Sequence, residues 1–120
     1  MRRQKLTDVP AHVMAGPASV RAGAKWQTDY NIAAWFRFKK ISQDTFRLYL
    51  QWVDETGEQF VCIDQAKIGS ASILLSGIAR LKVTGQIKAM SIAVESNNFS
   101  FTVDELFVQP ARNHIETKQA

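Results

Sequence analysis

A chain of 120 residues, 46% hydrophobic and 22% charged, has the composition of an ordinary globular protein and the length to bury one core without disulfides or metals. Its single cysteine, Cys62, excludes an intramolecular disulfide and thiolate-rich zinc sites, and no apolar run reaches the ~18–20 residues of a membrane-spanning helix. The net charge of +4 is a patchwork rather than the dense basic stripe of a nucleic-acid binder: residues 1–25 carry +4 (Arg2, Arg3, Lys5, Arg21 and Lys25 against Asp8), residues 48–64 carry −4 (Asp54, Glu55, Glu58, Asp64), and residues 65–90 carry +4 (Lys67, Arg80, Lys82, Lys88).

Met1-Arg-Arg-Gln-Lys5 has the charge of a signal-peptide n-region, but Leu6-Thr-Asp-Val-Pro10 breaks any apolar h-region at once, so the expected location is cytoplasmic. Pro10, Gly16, Pro17 and Gly23, set among small and basic residues, predict a loosely structured N-terminal segment over 1–25. A short strand near His12 to Met14 or Ala18 to Arg21 could pair onto a sheet edge. The only other histidine, His114, lies in the C-terminal tail, and two histidines in opposite flanks make a poor metal or catalytic pair.

From Thr28 the chain alternates. Tyr30, Ile32, Ala34, Phe36 and Phe38 share one face of a predicted strand, and Asn31, Ala33, Trp35, Arg37 and Lys39 the other. A polar connection leads to a second strand, Phe46 to Val53. Here Phe46, Leu48, Leu50 and Trp52 point inward, and Arg47, Tyr49, Gln51 and Val53 outward. Asp54-Glu-Thr-Gly57 reads as a tight, solvated turn and Glu58 to Ile63 as the returning strand, which makes Cys62 a buried small hydrophobe. Residues 64–70 read as a connection, and Ala71 to Leu75 and Ile78 to Thr84 as two short stretches broken at Ser76-Gly77. Ile87 to Glu95 and Phe99 to Gln109 flank Ser96-Asn97-Asn98 and predict a hairpin. Parity slips at Asp104-Glu105, which predicts a β-bulge there, with one of these two carboxylates turned inward and pinning a neighbour. Strands joined by short turns without helical crossovers predict an all-β fold, a single-domain antiparallel β-sandwich of jelly-roll type over 26–110, with a flexible tail over 111–120.

Catalytic chemistry finds little purchase. The carboxylates Asp54, Glu55 and Glu58 cluster at a turn, and no Gly-rich phosphate loop precedes a helix. The expectation is a protein without catalytic residues, metal or cofactor. The suggestive constellation is Trp35 and Arg37 on one long strand with Arg47, Tyr49 and Gln51 on the next. On one sheet face these would set flat aromatic rings beside forked donors and an amide, the combination that binds the C–H face and the hydroxyls of a sugar. The plainer reading has Trp26 and Val20 covering Trp35. A protein partner or a second copy is the other use of exposed Trp, Tyr and Arg.

Tyr30-Asn-Ile-Ala-Ala-Trp-Phe36, Phe46-Arg-Leu-Tyr-Leu-Gln-Trp-Val-Asp-Glu-Thr-Gly57 and Phe101-Thr-Val-Asp-Glu-Leu-Phe-Val108 together resemble carbohydrate-binding modules of the galactose-binding-like jelly roll. There an aromatic alternating strand precedes one that ends in an Asp-x-x-Gly type turn, and the last strand carries an acidic pair. The resemblance spans about residues 26–109 and implies a non-catalytic module for a glycan or small polar ligand. The opening strand and calcium loop of such modules have no counterpart in residues 1–25. Asp64-Gln-Ala-Lys-Ile-Gly69 is similar to the Asp-x-Ser-x-x-Gly turn of PilZ-type cyclic-dinucleotide barrels. Ala66 replaces the serine, and no two arginines lie four apart to grip phosphate and guanine.

Overall fold

The computed structural model describes residues 2–14, 20–97 and 100–111. It is an all-β sandwich of seven strands: β1 (Arg2–Asp8), β2 (Lys25–Phe38), β3 (Thr45–Asp54), β4 (Gly57–Lys67), β5 (Ser72–Thr84), β6 (Ala89–Ser96) and β7 (Phe101–Pro110). Sheet A has the order β1-β6-β3-β4 and sheet B the order β5-β2-β7, with every pairing antiparallel.

The alternation places the core where it predicts. Tyr30, Ile32, Ala34, Phe36 and Phe38 of β2 face Phe46, Leu48, Leu50 and Trp52 of β3 across the sandwich, and all nine are buried. Phe46 sits edge-on to Phe36, Phe38 and Phe101, with ring centroids 4.8, 4.9 and 5.1 Å away. Edge-to-face contact suits the ring quadrupole, and each buried large apolar side chain stabilises the fold by roughly 1.5–3 kcal/mol.

Several elements differ from expectation. Ser72 to Thr84 is one continuous strand. Gly77 marks a close approach of two backbones within it, since a Cβ there would lie 2.9 Å from the Ile63 carbonyl oxygen of β4. Strand β4 runs on to Lys67 through a bulge at Ile63, where Leu48 pairs with Asp64 but Tyr49 with Cys62. The displaced Asp64 reaches across to β5 and accepts the Ser76 N–H at 3.0 Å. The strands expected to form a terminal hairpin belong to different sheets: β6 lies between β1 and β3, and β7 pairs with β2. Asn98 and Phe99 of that connection lie outside the described residues. A turn signal says that the chain reverses, not which sheet it re-enters. Ile92, Ala93 and Val94 are buried in succession on β6, as suits a strand with neighbours on both sides, whereas β7 is an edge.

Part of the N-terminal segment read as loose is strand. β1 pairs with β6 from Arg2 opposite Ser96 to Asp8 opposite Ser91, and Val9 follows it into the core. As an edge strand with one apolar residue, Leu6, it carries no alternation to read. The segment 15–19 and the tail beyond 111 lie outside the described residues, and His12 occupies an exposed turn.

The turn Asp54-Glu55-Thr56-Gly57, expected to be solvated, instead clasps the two sheets together. Asp54 is buried. Its carboxylate accepts the Thr56 N–H and O–H at 2.8 and 2.6 Å and the Thr84 N–H, at the end of β5, at 2.9 Å. Glu55 accepts the Gly23 N–H at 2.9 Å, and its own N–H donates to the Thr84 carbonyl. The Trp26 indole N–H donates to the Gly85 carbonyl at 2.7 Å, so Trp26 packs on the inner side and does not cover Trp35.

Candidate functional site

The residues singled out from the sequence divide between the two outer faces of the sandwich. Trp35 and Arg37 stand on β2 in sheet B, whereas Arg47, Tyr49 and Gln51 stand on β3 in sheet A. Although β2 and β3 follow one another in sequence, each points its odd-numbered side chains away from the shared core, and so in opposite directions. The five-residue site expected on one face is therefore two surfaces.

On the outer face of sheet A the β3 residues meet neighbours from three other strands. Arg47 lies opposite Glu95 of β6 and Gln65 of β4, Tyr49 opposite Ala93 and Cys62, and Gln51 opposite Ser91 and Phe60. Arg3 of β1, opposite Glu95 in the register, reaches across β6 onto this face. Its guanidinium lies 4.3 Å from the centroids of both the Tyr49 and Phe60 rings and donates to Gln51 Oε1 and Glu95 at 3.3 Å. Arg47 donates to Gln65 at 2.7 Å and to Glu95 at 3.4 Å, the Tyr49 hydroxyl donates to Glu95 at 3.2 Å, and Gln51 donates to Ser91 Oγ at 3.2 Å. Arg3 thus occupies the Tyr49 face that a ligand ring would need. Arg3 lies over one face of Phe60 as well, but Phe60 is 58% exposed and keeps the open aromatic surface here.

Beside this network lies a recess of about 310 Å³, bounded by Phe60, Gln51, Gln59 and Ser91, with Arg3 and Lys5 on one rim and Asp8 and Glu58 on the others. The two bases match the two acids, and Lys5 is held by Asp8 at 2.9 Å.

The electrostatics of the face follow from its crowding. Desolvation, then the Glu95 charge, pushes the Tyr49 hydroxyl above its ordinary pKa. Cys62, expected to be buried, is on this exposed face because the register turns its side chain outward beside Tyr49. Desolvation by its neighbours outweighs the Arg47 charge and raises the Cys62 thiol. The thiol therefore stays protonated at neutral pH, and a protonated thiol is a weak nucleophile. Among the described residues no three His, Cys, Asp or Glu side chains converge as a metal site would require.

On the outer face of sheet B, Trp35 is 41% exposed, between Leu74 of β5 and Glu105 of β7. The register passes from Trp35 opposite Glu105 to Phe36 opposite Val103, which leaves Asp104 as the extra residue of a β-bulge. Asp104 accepts two hydrogen bonds from Arg37, at 2.6 and 3.1 Å, on the outer surface and not in the core. Glu105 is exposed beside Trp35. The carboxylates that join the sheets are Asp54 and Asp64. Their only signal in the sequence is position at a turn and beside a bulge, which solvated carboxylates share.

No helix among the described residues is long and apolar enough to cross a membrane. No protein-family model, curated protein or solved structure matches this chain.

Proposed function

We propose that this chain is a non-catalytic binding module that takes a glycan or similar polyhydroxylated ligand in the recess on the outer face of sheet A. The observation that carries the reading is the lining: an exposed aromatic ring, Phe60, with Arg3 on one of its faces, beside the Gln51 amide and the Ser91 hydroxyl. A pyranose offers an apolar C–H face for the ring and hydroxyls for the Gln51 amide and the Ser91 hydroxyl. The volume, about 310 Å³, lies at the small end of ligand sites and suits one or two sugar rings. The balanced charge of the rim favours a neutral ligand over a phosphate, which would draw on an excess of bases.

The strand order supports the jelly-roll reading. Only β3 and β4 are consecutive strands of one sheet, so five of the six connections cross between sheets, the wrapping that jelly rolls have. With seven strands, opened by β1 at the edge of sheet A, the chain is compatible with a shortened form of the fold of the carbohydrate-binding modules it resembles. The cyclic-dinucleotide reading loses support, because Asp64-Gln-Ala-Lys67 continues β4 and Asp64 is engaged with Ser76.

Saturation-transfer NMR against a panel of neutral and acidic saccharides tests the proposal. Binding is expected, weakened about tenfold or more by Phe60→Ala or Gln51→Ala and retained by Trp35→Ala, since a tenfold loss corresponds to one good contact of about 1.4 kcal/mol. No binding across the panel, or binding lost in Trp35→Ala and kept in Phe60→Ala, would overturn it.

A further inference from the structure

The opposite face of the sandwich has a different chemistry. Leu74, Trp35, Ile78 and Phe107, four of the large apolar side chains exposed among the described residues, all stand on the outer face of sheet B. The register sets Leu74 opposite Trp35, places Ala33 between Ser76 and Phe107, and places Asn31 between Ile78 and Gln109. Because Ala33 is small and its neighbours are not, the centre of the face is a groove of about 360 Å³, walled by Ile78 on one side and Phe107 on the other. Phe107, 60% exposed, stands beside the groove as a knob.

We infer that this face is a self-association surface, on which two copies of the chain pack sheet B against sheet B about a two-fold axis. A two-fold contact requires a patch complementary to itself, so that if one residue meets another, the second meets the first in return. A knob and a hole side by side on one face meet that condition: Phe107 of one protomer enters the groove over Ala33 of its partner, and the partner's Phe107 does the reverse.

Charge favours the same occupant. Arg37 is held by Asp104 at 2.6 Å near one end of the face, and Arg80 lies 3.7 Å from Asp29 towards the other. The apolar centre thus lies between neutralised pairs, and the exposed Glu105 carboxylate beside Trp35 disfavours an anionic surface. The dimensions set the strength. Three strands about 4.8 Å apart, overlapping over the ten residues of β7 at about 3.3 Å each, give a footprint of roughly 500 Å² per protomer and 1,000 Å² in all. That is the lower bound of specific interfaces, so the dimer is weak and concentration-dependent.

Sedimentation velocity of the full chain from about 1 µM to about 1 mM tests this, with the mass expected to rise from 13.5 kDa towards twice that value. Phe107→Ser and Ala33→Gln, which remove the knob and fill the hole, should each weaken association at least tenfold, with far-UV circular dichroism confirming the fold. Ile41→Ser, at an exposed apolar side chain outside the strands, and Phe60→Ala, on the opposite face, should leave association unchanged. A constant mass of 13.5 kDa over the whole range overturns the inference. So does a dimer indifferent to both Phe107→Ser and Ala33→Gln, or a monomer that instead co-sediments with neutral phosphatidylcholine vesicles. Saccharide binding by Phe107→Ser is an independent readout, so failure here and failure of the glycan reading are distinguishable.

Discussion

Asp54 and Thr84 belong to different sheets, and the Asp54 carboxylate accepts the Thr84 N–H at 2.9 Å. The same carboxylate takes both Thr56 donors, so one buried anion closes the β3–β4 turn and ties it to the end of β5. Burial alone would raise the Asp54 pKa, but the hydrogen bonds from Thr56 and Thr84 outweigh it and hold the carboxyl below its ordinary value. The stabilisation is therefore complete above the unfolded carboxylate value of about 3.9 and is lost as pH falls through the lower folded value. Asp54→Asn presents an N–H₂ group to one of these donors and should cost about 2–4 kcal/mol at neutral pH. Urea titrations of both proteins across the acid range should show the gap narrowing below about pH 4. A gap constant to the lowest pH would contradict this account.

Gly85 continues that clasp with φ at +71°, and a Cβ there would overlap the Glu55 carboxylate. Glu55 can swing away, but only by releasing the Gly23 N–H. Gly85→Ala thus combines left-handed strain with a lost hydrogen bond and should destabilise by about 1–3 kcal/mol. Gly69→Ala is the control, because its Cβ would meet nothing within 4 Å and its φ lies outside the positive region. Thermal melts of the two variants make the comparison.

Tyr49 donates to Glu95, and removal of that charge should lower the Tyr49 pKa towards the ordinary value of about 10. In the parent the raised folded pKa contributes stability that is complete below the unfolded value and lost as pH rises through the folded one. Ultraviolet titration of tyrosinate in the parent, Glu95→Gln and Tyr49→Phe should assign the late-titrating group to Tyr49. An unchanged profile in Glu95→Gln would refute the pairing.

Cys62 is exposed yet carries a raised pKa, so its reaction with iodoacetamide should be slower than that of a free thiol at neutral pH. The gap should close as pH rises and the thiolate forms. Arg47→Ala removes a charge that favours the thiolate and should slow the reaction further.

The sandwich itself was legible in the sequence because burial on one side writes a period of two into β2 and β3, and both strands' inward faces fall where Tyr30–Phe38 and Phe46–Trp52 alternate. The bulge at Asp104 was legible for the same reason, as a break in parity. Strand β1 was not, since an edge strand that turns a single apolar residue, Leu6, towards the core has no alternation to show. The pairing of β6 and β7 was misread because Ser96-Asn97-Asn98 signals a reversal of direction and carries no information about which sheet receives the next strand.

The sequence by itself determined which residues of β2 and β3 alternate towards the core, and hence that Trp35, Arg37, Arg47, Tyr49 and Gln51 all face away from it. Which outer face each occupies was decided only by the tertiary structure. The choice depends on pairings between residues far apart in the chain: β3 with β6, β2 with β7, and Arg3 laid across Tyr49 and Phe60. Those contacts are set by filling one core from two sheets at once, a condition on the whole chain that no local pattern records.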